Sequence, residues 1–483
     1  MKKLKLFATI AVLVLSVGLL IVACCTMFNQ EKFYVGVTYC GSSVQEAKEL
    51  IDKVKNYTNL FVLQSGTFMG DTTAMEDIGD YVVASNLNYA VSGSVRDDYG
   101  TSIVRDNVGL DPQVLSNWLI EAKGRWGKHF IGVYYGDEPG GKMLDTTVTF
   151  KNIPLSTKEG TTRGIIEQVT KNSYTGVITS MFSNETIIRY YPNGNISMSF
   201  PKVGIVDYCP DGTIVAYKYV FENNAMMVYT FDDLTHFPLS IPSYETVLKQ
   251  KPLQTCDDAT VAFVNKNKGF LDALNKKQLD KKSISVFTAD YGLYWWDYQS
   301  GYDVVLAELA WNNSVAQQIG LVRGAANLQS KSWGTMITWK YTQPPYLADG
   351  AEMFEQMKMS YEAGAECVLI FNYSEDPVNP NTLQEEHFLA LERFWNNVVQ
   401  NSDVVHGGVK AEAVFVLPKN YGWGMRAVDD NIWGIWSTDE TMQELWVQLQ
   451  NSIDQYGLKL DIVFEEPMYS IAGKYFDIYY WNQ

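Results

Sequence analysis

From residue 33 onward, short apolar runs alternate with longer segments of helical spacing. Residues 33–39, 60–64, 89–93 and 130–135 have the apolar character of strands, and 43–56, 72–87 and 111–123 that of the helices between them. After a less regular stretch the alternation resumes. Strands are predicted at 283–288, 303–309, 333–339 and 367–372, with helices at 257–274, 315–328, 350–362 and 384–399. Ile131-Gly132-Val133-Tyr134 and Val368-Leu369-Ile370-Phe371 lack the polar alternation of a half-exposed strand, as expected where both faces are buried. Eight such strands with intervening helices predict an α/β fold, a (β/α)8 TIM barrel. An open doubly wound sheet is the rival, but no Gly-x-Gly-x-x-Gly follows the first strand to suggest a dinucleotide site.

Between residues 140 and 250 turn signals dominate, among them Pro192-Asn193-Gly194 and Pro210-Asp211-Gly212. Residues 203–208 and 213–219 flank the second and suggest a β-hairpin. The stretch is too long for an ordinary strand-to-helix loop, so a partly β insertion after strand four is expected. The tail reads as strand 410–417, helix 440–456, strand 460–464 and strand 475–480, a small α/β appendix on the barrel. The implied organisation is 1–29 anchor, 30–139 first half-barrel, 140–250 insertion, 251–402 second half-barrel and 403–483 small α/β domain.

Lys2, Lys3 and Lys5 precede an apolar run over residues 6–25, about the length that crosses a bilayer core. A retained helix with its lysines inside would leave the rest of the chain outside, and a long signal peptide has the same pattern. Ile21-Val22-Ala23-Cys24 resembles the processing box of lipoproteins, which would make Cys24 a lipidation site. All three readings expect a membrane-anchored, extracellular or cell-surface protein. Asn56, Asn184, Asn195, Asn312 and Asn372 open sequons compatible with surface glycosylation. Cys40, Cys209, Cys256 and Cys367 permit disulfides, of which one bond is credible.

The net charge of −17 repels phosphate backbones and argues against a nucleic-acid partner. Aromatics make up 13% of the chain and suit sugar or protein recognition. Four histidines without close spacing give no metal motif, and no cofactor is expected. The remaining candidate chemistry lies where strands of such a barrel end. Asp137 and Glu138 follow strand four, and Asp290 follows strand five, ahead of Trp295 and Trp296. Glu308 lies near the end of strand six beside Trp311, Trp339 ends strand seven, and Tyr373 follows strand eight.

Carboxyl groups on different strands can divide glycosidic cleavage, one protonating the leaving oxygen while the other attacks or activates water. Glu138 and Glu308 are the preferred pair, Glu138 as acid/base and Glu308 as second carboxylate. The roles are reversible, and Asp290 could replace either. Asp137, Trp295, Trp296, Trp311, Trp339 and Tyr373 would line the sugar, although the Trp295-Trp296 pair fits barrel or interface packing equally well. At these rim residues the chain resembles the broad class of barrel glycoside hydrolases over about residues 33–399, carried by Gly136-Asp137-Glu138-Pro139, Glu308 and the aromatic strand ends. In many of these enzymes the nucleophile ends strand seven; here Trp339-Lys340-Tyr341 stands there without a carboxylate, so the resemblance implies the strand-four and strand-six pairing.

The partner implied is a carbohydrate or glycan, with a carboxyl separation of about 5 to 9 Å across an open cleft. A noncatalytic carbohydrate-binding or structural protein retaining a hydrolase-like barrel, in a homo-oligomer or surface assembly, accounts for the same features. An occluded rim would favour it.

Overall fold

The computed structural model describes residues 33–93, 111–149, 166–172, 177–182, 187–200, 204–211, 214–222, 225–230, 255–311, 313–374, 381–437 and 440–481. Cys24 and the rest of the expected anchor, with Asn184 and Asn312, lie outside them. Among the described residues no helix is long and apolar enough to cross a membrane.

Eight parallel strands close a barrel. Its first half is β1 (Tyr34–Tyr39), β2 (Leu60–Leu63), β3 (Asn88–Gly93) and β4 (Phe130–Tyr135). An antiparallel sheet follows, built of β5 (Thr146–Thr149), β6 (Ile166–Asn172), β7 (Ile178–Phe182), β8 (Ile187–Tyr190), β9 (Ile196–Phe200), β10 (Gly204–Tyr208), β11 (Ile214–Glu222) and β12 (Ala225–Thr230). These eight strands pair in chain order, and β10 with β11 is the hairpin expected around Pro210. The barrel is completed by β13 (Ser285–Asp290), β14 (Val304–Leu309), β15 (Ser332–Ile337) and β16 (Cys367–Ile370), with β13 pairing to β4 and β16 closing on β1.

Local chemistry sets the helices around the barrel. Ser43, Asp71, Asp111, Ser314 and Asp349 each cap a helix N-terminus by accepting a backbone N–H two or three residues ahead. Thr255 and Asp258 form a reciprocal capping box. Period-two alternation divides the strand residues between two cores. Val37, Phe61, Val91, Val133, Val286, Val305 and Ile337 belong to the core beneath the helices. Leu60, Val62, Ala90, Tyr134, Phe287, Ala289, Leu306, Met336 and Leu369 fill the barrel interior, as a packed barrel requires. The mouth at the C-terminal strand ends is where polar groups can stand clear of this filling.

The tail forms a three-stranded parallel sheet, ordered β18 (Leu460–Phe464), β17 (Ala413–Leu417), β19 (Asp477–Tyr480), with the helix Glu440–Tyr456. It is seated on the barrel helix Val315–Gln329. A Cβ on Gly320 would lie 2.7 Å from the Leu460 carbonyl oxygen, and one on Gly324 2.9 Å from that of Ile462, so helix and strand touch backbone to backbone. Gly320→Ala is expected to cost about 1–3 kcal/mol through overpacking, read as a lower urea midpoint with an unchanged slope.

Four expectations change. Cys40, Cys209, Cys256 and Cys367 are all free, so the credible disulfide is not formed. The aromatic segment after strand five is the buried helix Tyr294–Ser300 and not a rim loop. Asn372 is 1% exposed, and its amide is committed: Oδ1 accepts from the Thr382 and Leu383 N–H groups, and Nδ2 donates to Asn381. It cannot carry a glycan in this fold, whereas Asn56 is exposed and Asn195 partly so. The last tail strand begins at Asp477, two residues after the expected start.

Candidate active site

The turn after β4 carries Asp137 and Glu138 into a seven-residue helix, Pro139–Asp145. Glu138 adopts φ 47°, a left-handed conformation costing a non-glycine residue about 1–2 kcal/mol. Its surroundings impose the conformation. The Glu138 N–H donates to the Ala289 carbonyl at 3.0 Å, and the Glu138 carbonyl accepts from Lys142 N–H at 2.9 Å.

Glu308 is placed by strand parity. It lies two residues beyond Leu306, on the same inward face of β14, and is 5% exposed. There it neighbours the Glu138 carboxyl closely enough for that acid's charge to raise its own affinity for a proton. Like charges at this range cannot both ionise. Burial, then Asp137 and Asp290, push Glu138 up to about 8 from the ordinary 4.5, with Lys142 and, last, Glu308 opposing. Glu308 is raised well above its ordinary range by burial first, then by Glu138, Asp137 and Asp290. One proton is therefore shared by the pair, and Glu308 is the more deeply buried of the two.

Tyr134 belongs to the barrel filling and donates its hydroxyl to Asp137 beneath the pair. Asp137 is itself exposed at the rim, with Lys142 Nζ donating to its backbone carbonyl at 2.7 Å. In the sequence Tyr134 carries no signal beyond its strand, and its inward parity on β4 is what directs it to the mouth.

Asp290 is not at the mouth. Its parity is that of Val286, so it faces the helices and is 0% exposed. Its Oδ1 accepts from the Gly141 and Tyr291 N–H groups, both at 2.8 Å, and Oδ2 from the Gly140 N–H. Asp290 therefore caps the Pro139–Asp145 helix from a neighbouring strand. Glycines are required for that approach: a Cβ on Gly140 would sit 2.5 Å from the Gly292 carbonyl oxygen, and one on Gly141 2.2 Å from the Tyr291 ring.

Trp295 and Trp296 are likewise removed from any sugar, at 2% and 0% exposure. Trp296 packs on Trp433 and Phe464, and Trp295 on Phe464 and Tyr469, all from the tail. Burying large aromatic surface against the appendix is what holds them there.

The other aromatics do gather at the rim. Trp339 lies parallel to Tyr373 at 6.0 Å, packs on Tyr346 at 4.8 Å, and donates its indole N–H to the Tyr373 carbonyl. The Trp311 N–H donates to the Trp339 carbonyl, which ties the ends of β14 and β15 together. Beside them Trp311, Lys340, Tyr341, Thr342, Gln343, Pro344 and Pro345 line an open groove of about 480 Å³. Trp311 and Tyr341 show 44% and 45% of their surface there. Tyr341 and Tyr346 carried no distinctive sequence signal beyond proximity to a strand end. Among the described residues no group of three or more His, Cys, Asp and Glu side chains could hold a metal ion.

The raised carboxyls have a signed consequence. For each, the folded pKa exceeds the unfolded one, so the native state binds more protons between the two values and stability falls as pH rises through that window. The windows run from 4.5 to about 8 for Glu138 and from 3.8 to about 6 for Asp290. Thermal melts are expected to shift downward from about pH 5 to about pH 8, with Glu138→Gln reducing the slope.

No family model matches the chain, and no curated protein does. Among solved structures, GH5_18 from Streptomyces cattleya, in complex with GlcNAc, aligns with 93% of this chain and 99% of its own at 10% identity and a TM-score of 0.43. D-allulose 3-epimerase from Methylomonas sp. aligns with 76% of this chain and 98% of its own, at 10% identity and 0.34. D-psicose 3-epimerase with D-tagatose, from Clostridium cellulolyticum, gives 76%, 98%, 8% and 0.33. Likenesses this distant carry no residue role and no activity to this chain.

Proposed function

We propose that the chain is a glycan-acting hydrolase whose working groups are the Glu138 and Glu308 carboxyls. The observation that carries this reading is the pairing of these two acids at the barrel mouth, Glu308 buried and inward-facing and Glu138 held in an unfavourable backbone conformation. A fold gains no stability from two adjoining, largely desolvated acids or from a left-handed glutamate, and such costs concentrate where chemistry is done. As the more deeply buried of the two, Glu308 holds the proton in this reading and is the general acid, and Glu138 is the carboxylate that attacks or activates water, the roles reversed from those expected of the sequence. Trp311 and Tyr341 in the neighbouring groove are the sugar-stacking surfaces, with Trp339 and Tyr373 behind them.

An outward-facing location, tethered through residues 1–29 by a helix or a lipid on Cys24, is part of the same proposal and rests on the Lys-rich, apolar start of the chain. The exposed aromatics Trp311 and Tyr341 of the groove favour a second reading: a noncatalytic, carbohydrate-binding surface protein. A polysaccharide and oligosaccharide hydrolysis screen of the chain from residue 30 decides between them, with Glu138→Gln and Glu308→Gln as controls. Hydrolysis lost in both controls supports the enzyme; hydrolysis surviving in both sinks the site, and binding without turnover supports the second reading.

A further inference from the structure

A second carboxyl pair lies behind the first. Asp297, in the helix Tyr294–Ser300, is 0% exposed, and among the described residues neither of its oxygens accepts a hydrogen bond from any N–H or O–H group. An ionised carboxylate left in that state would carry a large desolvation penalty. The Asp290 carboxyl is its ionisable neighbour, and two acids so placed do not both ionise. The three N–H groups already donating to Asp290 leave the charge there and the proton on Asp297.

The groups facing Asp297 electrostatically are Asp290 from β13, Tyr294 and Tyr298 from its own helix, and Tyr302 just beyond it; none is a cation. Asp290 in turn caps the turn formed by Gly140 and Gly141, directly after Glu138.

We propose that Asp297 is a neutral, proton-donating positioning residue, which keeps Asp290 anionic and thereby capped onto the turn that presents Glu138. Its bearing on catalysis rests on the reading of Glu138 as a working carboxyl; its protonation and its hold on Asp290 do not. Losing the donor raises the proton affinity of Asp290. A protonated Asp290 accepts the Gly140 and Gly141 N–H groups less well and no longer repels the charge on Glu138, so Glu138 ionises at lower pH.

The test compares the full chain with Asp297→Asn, which retains an N–H donor, and Asp297→Leu, which removes it. At neutral pH the infrared carbonyl band of protonated carboxylic acids should weaken in Asp297→Asn, while its melting temperature stays within about 3 °C of the parent. The Glu138 carboxyl signal, identified by its absence from Glu138→Gln, should titrate unchanged in Asp297→Asn and at lower pH in Asp297→Leu. An undiminished infrared band shows Asp297 to be ionised and overturns the proposal. So does a Glu138 titration that Asp297→Leu leaves unmoved. If Asp297→Leu fails to fold, the band and melting point of Asp297→Asn still decide the protonation. Because none of these readouts requires hydrolysis, an inactive protein would count against the proposed function without touching this inference.

Discussion

Glu308→Gln is expected to lower glycan turnover by about 10²- to 10⁴-fold, the usual contribution of a positioned general acid. The melting temperature should hold or rise. Glutamine keeps an N–H that can donate to Glu138, while removing one acid from a desolvated pair. Glu138→Gln should lose activity too, by a different route. The carboxylate that attacks or activates water is gone. The two variants separate in their pH profiles, measured as kcat/KM from about pH 4 to about pH 9. In the parent, ionisation of Glu138 near 8 lies within that range, and Glu138→Gln should abolish the corresponding limb. Retention of the limb would mean that another group sets the profile.

Arg323→Ala is expected to destabilise the protein by about 3–5 kcal/mol, the cost of breaking a buried ion pair from one side. Arg323 and Asp461 are 3% and 1% exposed in side chain and meet at 2.7 Å. The same guanidinium donates to the Leu458 and Leu460 carbonyls, so it stitches the barrel helix Val315–Gln329 to the start of β18. Without it Asp461 keeps only the Tyr475 hydroxyl among its side-chain donors. Denaturant unfolding should show a lower midpoint for Arg323→Ala, and Arg323→Met combined with Asp461→Leu should recover part of the loss. Recovery is the discriminating result, since paired apolar replacement removes the stranded charge that makes the single variant costly.

The barrel was legible because its evidence is local. Each strand announces itself by an apolar run and each helix by spacing and a capping residue, and closure follows from eight repeats of one unit. Glu308 was legible for the same reason, since its step of two from Leu306 places it inward. The same step from Val286 turns Asp290 outward, and Trp295 and Trp296 fall on a helix buried by a segment far along the chain. Parity could have removed Asp290 from the mouth; burial by a distant partner could not have been read from either tryptophan's neighbours. Asn372 is similar: a sequon is three residues long, while the amide's commitment to Asn381, Thr382 and Leu383 is made by the returning chain. The pairing of Glu138 and Glu308 likewise belongs to the assembled rim and has no counterpart in spacing.

The clasp between the tail and the Pro139–Asp145 helix fixes an order of assembly. Arg426 reaches back across 281 positions to Asp145, the residue that also receives the Tyr291 hydroxyl, and Gly434 abuts the Met143 and Leu144 carbonyls so closely that no side chain fits. On a ribosome the acidic turn at 137–138 emerges well before the tail residues that brace its helix, the first of which lies 281 positions beyond Asp145. Contacts of such sequence separation form slowly and late. Until residues 426–434 have been made, the nascent barrel carries its acidic turn on a helix without this brace.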